Sequence, residues 1–317
     1  MIVNKNDIYK NVLKSAIIHT SVENSMIIAE KISLAEAMNA STHGIHYYNR
    51  VIKPFLSVDK NYFKYKIVGN TIHSENKNIN GIINTSKIIS EVSKVAKKKG
   101  ISIGYIKNPG KIGALRVYVP EILSKGQTVL IFKNTAKSMG THLDPRPIFG
   151  TNPFCFGLAN TDYVFDSSTT VCATNKLRLY SKKNSLFKFD VGINTEYQLT
   201  KNPNDILENN FSMLPFAGKH LWYKSFFIAM FIEGMAAMAG GFTSTRVGEH
   251  KGDRYYSQEG MVIIILDSNH FFEKDHYDSE IKNLFNEVEE HGYRIPGKQN
   301  ELPIEVIDKD WEELMNI

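Results

Sequence analysis

Hydrophobic spacing changes character several times along the chain, and each change predicts an element. Over residues 6–38 apolar side chains recur at helical intervals: Ile8, Val12, Leu13, Ala16 and Ile17, then Ile28, Ala29, Ile32 and Ala35. This predicts two helices, the second capped by Asn24 or Ser25. Tyr47, Tyr48, Val51 and Ile52 predict a further helix that stops near Pro54. From Tyr62 to Ile72 the period shortens to alternation, which predicts strands around a turn at Gly69-Asn70. Residues 82–98 return to helical spacing, with Ile88, Ile89, Val92 and Val95 inward and Gly100 as the stop. A strand over 101–106, a loop, a helix over 112–124 that must accommodate Pro120, and a strand over 128–132 follow. Helix, glycine, strand, loop, helix, strand is an α/β pattern.

The second half is less regular. Residues 133–148 have no clear period and read as a loop. Two short apolar runs, Phe154 to Leu158 and Tyr163 to Phe165, predict strands joined by the polar turn 159–162. Asp166-Ser167-Ser168-Thr169-Thr170 closes the second run, gathering hydroxyls and a carboxylate. Such a cluster either meets a ribose or phosphate or simply builds a turn. Residues 175–183 are polar and basic, and 190–210 read as a loop with a turn at Pro203-Asn204-Asp205. The apolar window 226–241 falls short of the ~20 residues of a membrane span and contains Glu233, so a buried core helix over 222–239 is predicted. The polar stretch 243–257 is expected at the surface. Residues 261–266 form the strongest strand, 280–291 an amphipathic helix, Pro296-Gly297 a turn, and 304–317 a short strand and last helix. No internal repeat and no low-complexity linker marks a boundary.

Composition narrows the function classes. The 317 residues are 42% hydrophobic and 22% charged, a globular balance with enough apolar mass for a large core. A formal charge of +5 and one short lysine run, Lys97-Lys98-Lys99, do not make a nucleic-acid surface. The two cysteines, Cys155 and Cys172, have neither metal-ligand nor disulfide spacing, so no metal site is expected. They suit a reducing, cytoplasmic setting, and the opening MIVNKNDIYK has no apolar signal core.

Several short motifs, in order, resemble those of the malate/L-lactate/ureidoglycolate dehydrogenases, a nicotinamide-dependent family that lacks the Rossmann glycine signature. Ala40-Ser41-Thr42-His43-Gly44 resembles its Ser-His-Gly motif, and Asn108-Pro109-Gly110-Lys111-Ile112-Gly113-Ala114 its Asn-Ser-Asn-His-Phe-Gly-Ala. Gly150-Thr151-Asn152-Pro153 is its Gly-Thr-Asn-Pro, and residues 166–170 resemble its Asp-x-Ala-Thr-Ser. Leu214-Pro215 with Lys224 and Glu233, then residues 260–267 and Arg294-Ile295-Pro296-Gly297, follow its later signatures. The resemblance implies a mixed-sheet, non-Rossmann α/β dehydrogenase fold with a helical N-terminal part. Residues 1–60 would pack with 272–317, and 61–271 would form the cofactor-binding core. It further implies a homodimer, an active site in the cleft between the cofactor region and the helical part, NAD or NADP as cofactor, and a small carboxylate or cyclic imine as substrate. No nucleic-acid or membrane partner is expected.

The same resemblance nominates residues. His43 is the acid/base candidate; on composition alone it reads equally as a capping or core histidine. Lys111 stands where the family usually has a second histidine. A lysine, with an ordinary pKa of ~10.4, can donate a proton during reduction or hold a carboxylate or phosphate; a third reading is that the position marks lost catalysis. Tyr47 stands where an arginine commonly clamps the substrate carboxylate, and Arg50 is either its substitute or a surface residue. Thr151, Asn152, Asp166, Ser168, Thr170, Lys224 and Gly297 are expected at the cofactor, with Lys219 an alternative to Lys224 and Lys298 a phosphate contact.

Overall fold

The computed structural model describes residues 2–58, 63–76, 79–248, 258–297 and 304–315. Its elements are β1 (Ile2–Val3), α1 (Lys5–Ala16), α2 (Val22–Ala37), α3 (Ile45–Tyr47), β2 (Lys66–Val68), β3 (Thr71–Glu75), α4 (Gly81–Lys99) and β4 (Ile101–Lys107). Then come α5 (Pro120–Leu123), β5 (Gln127–Lys133), β6 (Phe154–Gly157), β7 (Val164–Ser167), α6 (Thr174–Lys182), β8 (Gly192–Ile193), β9 (Leu199–Thr200), α7 (Pro203–Glu208) and β10 (Ser212–Met213). The chain ends with α8 (Gly218–Met238), β11 (Gly260–Asp267), α9 (Lys274–Glu290), β12 (Ile304–Glu305) and α10 (Asp308–Met315). Seven strands form a mixed sheet in the order β2-β3-β4-β11-β5-β6-β7. β2 and β3 are an antiparallel hairpin, and β3 runs parallel to β4 with α4 as the crossover. The run 261–266 falls in the middle strand, where burial on both faces demands unbroken apolar residues.

The chain divides into two compact units: residues 1–131, 155–166 and 263–317 make the first, and 132–154 and 167–262 the second. In the first unit α1, α2 and α3 share a core with the C-terminal segment. Ile8, Val12, Ile28, Ile32, Tyr48 and Ile52 pack in one cluster with Val306, Trp311 and Leu314. In the second unit a three-stranded sheet, β10-β8-β9, accompanies a small core of Cys172, Leu177, Phe187, Val191 and Met213. Tyr180 stacks on Phe187 at 4.0 Å there.

Several expectations need correction. The cap of α2 is Ser21, whose hydroxyl accepts from the Asn24 amide at 3.3 Å; Asn24 and Ser25 already lie inside the helix. The helix expected around Tyr47 is a short α-turn, a π-helical turn over Tyr48–Ile52 and a 3-10 turn over Lys53–Val58, because Pro54 lacks an amide proton to continue regular pairing. Residues 112–124 do not form one helix. The chain is irregular to Ala114, with Gly113 at φ +75°, makes a 3-10 turn over Leu115–Tyr118, and starts α5 at Pro120, which is suited to a first helical position. The basic stretch lies in helix α6 as far as Lys182, and 190–210 holds β8, β9 and α7, so Pro203 starts a helix capped by Asn202.

The apolar helix α8 exists, but it is not buried all round. Ser225, Ala229, Ile232, Glu233 and Ala236 form its buried stripe, whereas Phe227, Phe231 and Met238 are 52%, 56% and 68% exposed. Uniform hydrophobicity hid this two-sidedness. No helix of the described residues is long and apolar enough to cross a membrane. Tyr62 and most of the polar stretch 243–257 include positions outside the described residues, as does Lys298.

Candidate active site

In the first unit the chain enters the site at the end of α2. Ser41–His43 form a 3-10 turn, and His43 is partly buried. Its Nδ1 lies 3.1 Å from the Thr42 hydroxyl, and its ring sits 5.3 Å, centroid to centroid, from that of buried Tyr47. Burial disfavours the charged imidazolium and brings the His43 pKa down to about 4; the Asp166 carboxylate pulls it up and the Arg116 guanidinium pushes it down. His43 is therefore neutral at neutral pH.

Behind His43, Glu36 fixes the backbone. Its Oε1 accepts the Ile45 amide at 2.7 Å, and the carboxyl group fills the space where Gly44 would carry a Cβ. Gly44→Ala is accordingly expected to displace the Glu36 carboxyl, weaken the fold and disorder the His43 turn, readable as a lowered unfolding midpoint and altered His43 ring resonances. Burial, less the help of the Ile45 amide and with a further push from Asp310, raises the Glu36 pKa to about 7. The signs of the two linkages are opposite. Between pH 4.5 and 7 native Glu36 holds more proton than the unfolded chain, so its contribution is lost as pH rises. Between pH 4 and 6.5 native His43 holds less proton, so its contribution is lost as pH falls. Each is worth up to about 3 kcal/mol. Glu36→Gln removes the first, and urea unfolding of this variant is expected to show stability rising more steeply from pH 4.5 to 7 than in the wild type. Parallel pH profiles would contradict the assignment.

Arg116 is the residue that the sequence reading missed. It sits in the 3-10 turn 115–118, and Tyr118 steadies the preceding loop by donating to the Ile112 carbonyl at 2.5 Å. The Asp166 Oδ2 accepts both the Arg116 amide and its Nε, each at 3.1 Å. Nη1 donates to the Met38 carbonyl at 3.2 Å and Nη2 to the Asp166 carbonyl at 3.4 Å. Reading 112–124 as a helix gave Arg116 no partner; its position two residues beyond Gly113-Ala114 was the available signal.

Asp166, Arg116 and Gly297 line one cavity of about 310 Å³, together with Asn39 and Arg294. Gly297 has φ +103°, and a side chain there would strike the Asp162 carbonyl and the Val164 amide, so only glycine lets the 296–297 turn lie against β7. Lys111 is exposed on the loop before the turn 115–118, and Gly113 of that loop lies beside the Tyr47 ring. Arg50 does not join this group. It is exposed and pairs with Glu313 at 3.4 Å.

The remaining candidates belong to the second unit. Asn152 is fully buried with φ 33°. Its amide donates to the Glu233 Oε1 at 2.6 Å and to the Ala229 carbonyl at 3.3 Å, and its Oδ1 accepts from the Thr135 amide at 3.1 Å. The Thr151 hydroxyl lies 3.2 Å from that of Thr135, and the Thr151 carbonyl accepts the Thr169 amide at 2.8 Å. The Ser168 hydroxyl donates to the Thr170 carbonyl and that of Thr170 to the Cys172 carbonyl, at 2.9 and 2.8 Å. These hydroxyls build the turn itself. Lys224 is exposed on α8, and the side chain of Lys219 lies outside the described residues. Among the described residues no group of three His, Cys, Asp or Glu side chains could hold a metal ion.

This fold and these motifs place the chain in a known family. The malate/L-lactate dehydrogenase family model matches residues 5–310, and the chain belongs to that family. It is 25% identical over 222 residues to a Delta(1)-pyrroline-2-carboxylate/Delta(1)-piperideine-2-carboxylate reductase of Pseudomonas putida; the match covers 68% of this chain but 63% of that reductase, short of two thirds of its length. It is 21% identical to the L-sulfolactate dehydrogenase of Methanothermobacter thermautotrophicus over 87% of this chain and 81% of the relative. The malate dehydrogenase of Entamoeba histolytica has the same fold, with a TM-score of 0.83 at 18% identity over 99% of this chain and 91% of that one. The delta1-piperideine-2-carboxylate reductase of Pseudomonas syringae gives 0.82 at 22% identity over 99% and 98%. The mixed-sheet, non-Rossmann dehydrogenase fold is thereby established.

Proposed function

We propose that the protein is an NAD(P)-dependent oxidoreductase that reduces a C=O or C=N bond next to a carboxylate. The observation that carries this reading is the constellation in the first unit: His43, held by Thr42 and Tyr47, within the field of the Arg116–Asp166 pair. When bound, the nicotinamide supplies or accepts the hydride. The residues of the first unit suit such a group: Asp166 keeps Oδ1 outside its bonds to Arg116 and can accept from a hydroxyl or amide. Asn152, Thr151, Ser168 and Thr170 serve by holding backbone in place, since their polar groups are engaged within the protein.

His43 and Lys111 supply or relay the proton. A small 2-oxo acid needs a proton at the carbonyl oxygen as hydride arrives. A cyclic imine is the second reading, favoured by the His43 pKa of about 4. A neutral imidazole is a weak acid, and a substrate that arrives as an iminium needs none. Oxidation of NADH and NADPH, followed with pyruvate and with Delta(1)-piperideine-2-carboxylate, tests both. Turnover of the imine alone selects the second reading, and turnover of neither removes both as assigned. The same proposal includes a homodimer in a reducing, cytoplasmic setting. The exposed apolar stripe of α8, with Phe227, Phe231 and Met238, supports self-association. Sedimentation is expected to give a dimer that Phe227→Glu/Phe231→Glu converts to monomer.

A further inference from the structure

We infer that the cavity walled by Arg116 and Arg294 is an oxyanion-binding subsite, taking a carboxylate or phosphate group of a bound ligand, with Arg116 as its fork. The inference rests on the oxidoreductase reading for its biological ligand, but its physical argument is independent of turnover. Arg50, which the sequence left open as a clamp or a surface residue, pairs with Glu313, and position 47 is a tyrosine. Arg116 stands instead within the field of His43 and faces a cavity of about 310 Å³.

Its orientation is fixed from three sides. Asp166 receives Nε through its carboxylate and Nη2 through its carbonyl, and Met38 receives Nη1 through its carbonyl. A guanidinium has five N–H groups. Three are spent in these bonds, which leaves one on each terminal nitrogen, a pair suited to two oxygens of one anion. Because the side chain is already held, binding costs little further rotamer entropy. Arg294 lines the same cavity, so a second guanidinium borders it. Asn39, at φ 57°, and the tight turn at Gly297 line the same cavity.

Calorimetric titration of the full chain with oxalate, NADPH and NADH tests this in the wild type and in Arg116→Met, Arg116→Lys and Arg294→Met. Arg116→Met is expected to weaken binding of at least one probe by about 10- to 100-fold, the value of charge-assisted hydrogen bonds. Arg116→Lys should recover only part of it, since lysine keeps the charge but not the fork. Loss confined to oxalate identifies a carboxylate as the occupant, and loss confined to the nucleotides identifies a phosphate. If Arg116→Met fails to fold, Arg116→Lys and Arg294→Met carry the test. Wild-type affinities for all three probes in the folded variants, or a wild type that binds none of them, overturn the subsite. Nucleotide binding with oxalate binding absent or indifferent to both arginines, and the nucleotide affinities likewise unchanged in every folded variant, would leave the oxidoreductase reading standing without the subsite. Arginine-dependent oxalate binding with no nucleotide binding would do the reverse.

Discussion

Glu233→Ala is expected to cost about 3–5 kcal/mol, from several buried donors left unsatisfied at about 1–3 kcal/mol each, a large share of the roughly 5–15 kcal/mol by which an ordinary protein is stable. The buried Glu233 carboxylate accepts from the amides of Asn134 and Asn152 at 3.0 and 2.6 Å, from the Ser244 backbone amide at 2.9 Å, and from the Ser244 hydroxyl. These partners are themselves joined: Asn134 donates to the Phe242 carbonyl at 2.7 Å and accepts the Gly260 amide at 2.9 Å, and the Ser244 hydroxyl also lies against the Thr135 carbonyl. An alanine removes the acceptor and leaves buried donors unsatisfied around a cavity. Glu233→Gln keeps the shape and one carbonyl oxygen, so its loss should be smaller. Urea unfolding checks both; a Glu233→Ala midpoint equal to that of the wild type would show that the network is dispensable.

His43→Ala is expected to lower turnover by about 10²- to 10⁴-fold, the usual worth of a positioned acid/base group, while leaving nicotinamide nucleotide binding unchanged. The ring is only partly buried, is held by Thr42 and stands at the edge of the core beside Tyr47, so its loss is expected to remove chemistry before stability. Steady-state rates and cofactor titration on the same preparation separate the two effects. Full activity would remove His43 from the mechanism. An equal loss of cofactor binding and rate would make it a structural residue.

Much of this was legible in the chain, for identifiable reasons. Residues 82–98 show an uninterrupted helical period and Gly100 ends the helix, so α4 was readable almost to its limits. The run 261–266 was readable as a buried strand because no polar residue interrupts it. Periodicity misled where backbone and side chains answer to partners far along the chain. Arg116 belongs to a 3-10 turn whose amide is capped by a carboxylate fifty positions away, and no local pattern carries that information. Glu233 stood out as a lone charge in an apolar helix, but its four donors come from segments whose polar residues looked like ordinary loops. Ser168 and Thr170 offered two readings, and their hydroxyls are spent within the turn. Helix α8 was uniformly apolar, which hides the difference between a face turned into its own chain and one left exposed.

This chain is expected to bind a nicotinamide nucleotide and to use it. Fluorescence titration of the purified protein with NADH and with NADPH tests it most directly. Saturable binding of at least one is expected, with enhanced nicotinamide emission. No binding of either at millimolar concentration would contradict it, and the protein would then be a family member that keeps the fold for another purpose.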